Sequence, residues 1–251
     1  MATTIDMREG GYRYIPGMFQ YSAGVRALDS YRIERVEFMR PVPLAAGFAF
    51  IEQYLPREGL PLAAFCACEL RSPAPFTDAG FIAFNRHYCG TLERWGIMRD
   101  DKNPVARSNV CPEWHKPSEP SFHAFCYARP ASGEAGSFVI AGSGEAEEGH
   151  ASYRERTVRF GDTSPEAMRA KGTYVLDRME QRMAAVSAGW ADTTATQVYT
   201  VYDLHPFLGD EIVRRGAVQH GLTWHFARPP VVGLDYEMDC RRVPVEHRIS
   251  V

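Results

Sequence analysis

The chain has 251 residues, 45% of them hydrophobic and 24% charged, the composition of a folded globular protein with room for one large domain or two small ones. Its formal net charge of −3 supplies no broad basic field, which argues against nucleic acid as the main partner and for a small molecule. The N-terminus has no apolar core of signal-peptide type and no stretch approaches the roughly 18 apolar residues of a membrane span, so the expectation is a cytoplasmic protein with no membrane partner.

In chain order, β-like runs at residues 20–26 and 31–39, divided by turn formers, predict a strand meander. Pro43 then opens a helix in which Phe48, Ile51 and Leu55 share a face. The apolar run 63–70, bounded by Pro61 and Pro73, predicts a buried strand. Thr77 or Asp78 caps a second helix, with Phe81, Phe84, Tyr88, Leu92 and Trp95 at three-and-four spacing and Gly96 at its end. Strands are predicted at 106–111 and 121–127, and 129–136 reads as a linker between units of residues 1–130 and 131–251. The second unit begins with strands at 137–144 and 154–160. Ser164 and Pro165 then open the longest helix, with Met168, Val175, Leu176, Met179, Met183 and Val186 inward. A strand at 197–202, a shorter helix after Asp203, and strands at 222–227 and 234–243 complete the reading. Cysteines 66, 68, 89, 111, 126 and 240 lack the spacing of a disulfide scaffold and read as reduced thiols.

Each half thus runs strands, helix, strand, helix, two strands. Ala106-Arg107-Ser-Asn-Val110 parallels Ala227-Arg228-Pro-Pro-Val231, and Ser22 parallels Ser143 at the same interval, which predicts an internal duplication. Phe84-Asn85-Arg-His-Tyr88, then Pro104-Val-Ala-Arg107-Ser, and later Ala227-Arg228-Pro-Pro with Tyr236-Glu237-Met-Asp239, occur in the order seen in the RidA family, also called YjgF or endoribonuclease L-PSP. The chain resembles a tandem member of that family. The resemblance implies an α+β fold of two chorismate-mutase-like domains, each a mainly antiparallel sheet with two helices on one face, and assembly as a homotrimer. The phrases 111–117 and 228–237 are closer to two-domain members, which include deaminases of 2-aminomuconate and its chlorinated analogues.

A guanidinium fork binds a carboxylate bidentately, which makes Arg107 and Arg228 candidates to anchor a carboxylate substrate. Hydrolysis of an enamine requires a proton on carbon and then water on the resulting imine, and a carboxylate holding that water serves the second step. The resemblance places Glu237 in this role, and puts His123 at the matching place in the first half, although that pairing breaks the common interval. It leaves Arg228 and Glu237 as the pair kept on one domain, with Asn85, Ser22, Ser143 and His123 as further substrate contacts. The implied function is a hydrolytic deaminase of an enamine or imine carboxylate, 2-aminomuconate or a substituted relative, that releases ammonia without a cofactor.

The alternatives are a binding module that keeps the pocket without turnover, and the ribonuclease activity of the family's older name. Each residue also has an ordinary structural reading: an arginine near a strand as a salt-bridge partner, the serines as turn formers, Asn85 as an exposed helix residue, His123 as a core histidine. Cys111, His115, His123 and Cys126 match no standard zinc spacing, and no metal is expected.

Overall fold

The structure is a computed structural model that describes residues 3–132, 136–147, 149 and 152–251. Strands β1 (Ile5–Met7), β2 (Tyr12–Ile15), β3 (Gly24–Ala27) and the long β4 (Tyr31–Pro43) lead into helix α1 (Leu44–Arg57). Then follow β5 (Phe65–Arg71), α2 (Asp78–Arg94), β6 (Ala106–Pro112), β7 (Ser121–Pro130) and β8 (Phe138–Gly144). The single-turn α3 (Tyr153–Arg156) precedes the long α4 (Pro165–Ala185) and β9 (Ala195–Tyr199). A second single turn, α5 (His205–Phe207), runs into a π-type turn, and β10 (Thr223–His225), β11 (Ala227–Arg228), β12 (Glu237–Arg242) and β13 (Val245–Ile249) end the chain.

The long helices start where the sequence offers caps. Thr77 Oγ1 accepts from the Gly80 amide at 3.1 Å, and Ser164 Oγ from Ala167 at 3.3 Å with Pro165 in the first turn. The apolar faces of α1 and α2, with Phe48, Ile51, Leu55, Phe84 and Tyr88, pack on Val36, Leu70, Phe122 and Phe125 of one sheet. Met168, Val175, Leu176, Met179 and Met183 of α4 pack on Ile140, Val198, Tyr236 and Met238 of the other. Both helical layers therefore form as the periodicity predicts.

The sheets are arranged differently from the tandem pair of chorismate-mutase-like domains expected above. One has seven strands in the order β1-β2-β3-β8-β12-β9-β10, the other six in the order β11-β6-β5-β7-β4-β13. Both are mixed, with parallel pairs β9/β10, β5/β6 and β4/β13. Self-contained units would each close a sheet within one half, yet β1, β2 and β3 join β8, while β11 and β13 cross to the other sheet. Among the described residues, only α4 covers the seven-stranded sheet as a long helix. Where a second was expected after Asp203, Pro206 and Gly209 interrupt the segment and leave short turns.

The repeat interval has no structural counterpart either. Arg107 lies in a seven-residue interior strand, whereas Ala227–Arg228 is a two-residue edge strand antiparallel to β6 itself, Arg228 facing Cys111. The strand expected at 154–160 is largely replaced by α3, because Ser152 and Glu155 form a reciprocal cap; only Thr157 bridges to Ala146. Residues 133–135 of the expected linker lie outside the described residues. The six cysteines are buried and unpaired. Among the described residues no helix is long and apolar enough to cross a membrane.

Between the sheets lies a polar layer. Asp239 Oδ2 of β12 accepts from Ser108 Oγ of β6 at 2.5 Å and from the Tyr199 hydroxyl at 2.9 Å, and Oδ1 accepts from Gln197 Nε2 at 2.7 Å. These bonds tie β12 to β6 across the halves of the chain, and so bring Glu237 and Arg107 to one cleft.

Candidate active site

The cleft encloses about 740 Å³, including solvent at its mouth, and both halves of the chain line it. Arg107 and Asn109 enter from β6, Gly142 and Ser143 from β8, Arg182 from α4 and Glu237 from β12, with Tyr21, Tyr153 and Arg156 forming outer walls.

Arg107 is 3% exposed and held from behind. Its Nη2 donates to Asn85 Oδ1, and Asn85 Nδ2 donates to the Phe81 carbonyl at 2.7 Å, which turns the amide oxygen toward the arginine. The guanidinium carbon lies 4.6 Å from the Tyr88 ring centroid and 5.5 Å from those of Tyr21 and Phe84. Nη1 is buried without a hydrogen-bond partner, and among the described residues no carboxylate pairs with this guanidinium. Asn109 Nδ2, two residues along the same strand, is likewise unfilled, while its Oδ1 accepts from Ser72. A buried cation without a counter-ion is costly, and a carboxylate in the cleft supplies the missing charge and acceptors.

Asn85 is therefore a neutral brace whose neutrality matters. Asn85→Asp would set a permanent carboxylate on Arg107 and compete with any anionic substrate. A charged hydrogen bond worth about 1.5–3 kcal/mol predicts a KM raised roughly tenfold to a hundredfold, with a smaller effect on kcat, in steady-state kinetics.

Glu237 begins β12, paired with Gly144 on one side and Tyr199 on the other, and is 4% exposed. Its carboxyl group has no hydrogen-bond partner among the described residues. Burial, reinforced by the neighbouring Asp239 and Glu145 carboxylates and only partly opposed by Arg182 and Arg71, holds its pKa well above the usual carboxylate range. Gly142 makes room for it: a Cβ there would lie 2.1 Å from Glu237 Oε1 and 3.3 Å from the Ser108 backbone. Arg182 Nη1 donates to the carbonyls of Ala141 and Gly142 at 3.0 and 3.3 Å, so a cation flanks this corner.

The other residues singled out in the sequence are distributed unevenly. Ser143 lines the cleft from β8. Ser22 is buried outside the cleft lining, its Oγ donating to Pro104 O at 3.2 Å and its amide to Val105 O, so it ties the loop to the start of β6. Arg228 does not line the cleft; its Nε pairs with Glu113 and its side chain is 39% exposed. His123 lies on β7, 3.9 Å from Glu69 Oε2, and burial together with the Arg71 charge pushes its pKa down to about 3. It too is outside the cleft lining.

Sequence reasoning missed Tyr153, Arg156 and Arg182. The first two carried a signal, the Ser152…Glu155 capping box, which marks a helix start rather than a strand. Arg182 carried none, being a polar residue within a methionine-rich turn.

Residues 4–247 match the family described as 2-aminomuconate deaminase CnbZ. A 2-amino-5-chloromuconate deaminase of Comamonas testosteroni is 51% identical over 243 residues, 96% of this chain and 97% of that protein. Among solved structures, a chorismatase matches with TM-score 0.53 over 91% of this chain and 79% of its own, at 15% identity, a likeness of fold alone. A cyanuric acid hydrolase matches with TM-score 0.40 at 13% identity, covering 88% of this chain and 70% of its own. The fold is thus of the chorismatase type in place of the tandem chorismate-mutase-like pair. The RidA resemblance of the short motifs gives way to a match that spans nearly the whole length: the chain belongs to the 2-aminomuconate deaminase CnbZ family.

Proposed function

We propose that the chain is a hydrolytic deaminase of an aminomuconate-type enamine carboxylate, and that the cleft shared by its two halves is the active site. The observation that carries this reading is a buried Arg107 guanidinium with an unfilled Nη1, lining the same cleft as a buried Glu237 whose pKa is held well above the usual carboxylate range. The family and the 51% identical relative support the substrate class.

Arg107 anchors a substrate carboxylate through the unfilled hydrogen-bonding capacity of its Nη1. Glu237, whose proton is held by burial, gives it to the nucleophilic carbon of the enamine, which becomes a protonated imine, and Glu237 is left as carboxylate. That carboxylate then takes a proton from water as the water oxygen bonds to the imine carbon. The resulting carbinolamine passes its hydroxyl proton to nitrogen, the C–N bond breaks, and ammonia and a ketone leave with Glu237 protonated again. One group thus acts as acid and then as base, a use for a carboxyl group whose proton is held by burial.

Wild-type protein given freshly generated 2-aminomuconate is expected to release one ammonia per substrate consumed, far faster than spontaneous decay. Substrate bound and recovered unchanged would replace this reading with that of a binding module.

A further inference from the structure

Just upstream of Glu237 the main chain is held by a second group of charges, buried and outside the cleft lining. Glu145 follows β8 and is 0% exposed; its Oε1 accepts from the Asp235 amide at 2.6 Å and its Oε2 from the Tyr236 amide at 3.1 Å. Lys171 of α4, also 0% exposed, donates to the Asp235 carboxylate and lies 3.4 Å from Glu145 Oε1. The Asp235 carbonyl accepts from Thr200 Oγ1 at 2.7 Å. A buried ionic group of this kind stabilises a fold no better than well-packed apolar residues of the same volume. Its hydrogen bonds, however, end on the two residues that lead into Glu237, and Glu237 itself pairs with Gly144, next to Glu145.

Resting on the role given to Glu237 above, we propose that Glu145 and Lys171 are positioning residues that fix the peptide units of Asp235 and Tyr236, and so set where the Glu237 carboxyl group meets the substrate. A displacement of about 1 Å at a reacting group can cost about 10²-fold in rate, so a clamp on these two amides has kinetic consequences. Glu145 also acts on Glu237 through its charge. Asp239 on the same strand and Glu145 favour the protonated form; Arg182 from α4 and Arg71 from β5 oppose it. Among the described residues, Arg107 from β6, Tyr21, the α3 residues Tyr153 and Arg156, and Glu147 are the other charged and titratable groups lining the cleft. Burial pushes the Glu145 carboxyl up to about 7, against its two amide donors and Lys171, and above that pH it carries its charge.

The test is the pH dependence of kcat, with unfolding midpoints measured alongside, for Glu145→Gln and Glu145→Asp. Glu145→Gln keeps an acceptor for only one of the two amides and loses the charge. Its kcat is expected to fall about tenfold to a hundredfold with little change in KM. The alkaline fall of its profile should also move to lower pH, because a Glu237 relieved of a neighbouring negative charge gives up its proton earlier. Glu145→Asp keeps the charge but withdraws it from the amides, so kcat should drop with the alkaline limb in place. A purely structural role would lower the unfolding midpoint and leave the limb unmoved in both. Should Glu145→Gln not fold, Glu145→Asp decides by its kcat. Folded variants with wild-type kcat and profile overturn the proposal, whereas a Glu237→Gln protein of wild-type rate would overturn the role of Glu237 itself.

Discussion

Replacing Glu237 by glutamine should lower kcat by about 10²-fold or more while KM stays within a few-fold. Glutamine matches the shape and fills the space beside Gly142, so the cleft and the Arg107 anchor persist. What disappears is the transferable proton and the base it leaves behind. The same role sets the wild-type pH profile. A carboxyl whose pKa is raised in the folded protein keeps its proton, and its use as an acid, to higher pH than an ordinary carboxyl; kcat should fall as pH rises through that raised value. An Asp or Glu of ordinary pKa as the essential acid would put the fall in the acid range instead, and stopped-flow rates across pH distinguish the two.

Arg107→Lys should raise KM about tenfold to a hundredfold and change kcat less. Lysine keeps the charge but loses the planar fork, the contact with Asn85 and the fit against Tyr88. Arg228→Lys is the matched control. Arg228 is part-exposed and paired with Glu113 away from the cleft, an arrangement worth about 0–1 kcal/mol, so KM and kcat should stay at wild-type values. Equal effects of the two substitutions in steady-state kinetics would contradict the assignment of the anchor.

How far the sequence reads is seen in these two arginines. Caps and apolar periodicity placed α1, α2 and α4, since Thr77, Ser164 and Pro165 act locally and the inward faces repeat over several turns. Strand partnership is not local. Ala106-Arg107 and Ala227-Arg228 look alike, yet Pro229 and Pro230 cannot donate to a ladder and stop the second strand after two residues at a sheet edge, while the first runs on as a buried interior strand. Sequence distance paired Glu237 with Arg228. The Asp239–Ser108 bond across the sheets pairs its strand with that of Arg107 instead. His123 fails as a counterpart of Glu237 for the same reason: similar order in the chain does not put β7 against the cleft. Arg107, Asn85, Ser143 and Glu237 were legible as chemistry, but which of them meet was decided by strands exchanged between the halves.

The division of labour in the cleft is tested most directly by a rapid-quench single turnover of 2-aminomuconate, with ammonia as the readout, for wild type, Glu237→Gln and Arg107→Lys at saturating substrate. The expected result is a full equivalent of ammonia from wild type and from Arg107→Lys once saturated, and almost none from Glu237→Gln within the wild-type turnover time. Ammonia released by Glu237→Gln at the wild-type rate would contradict it.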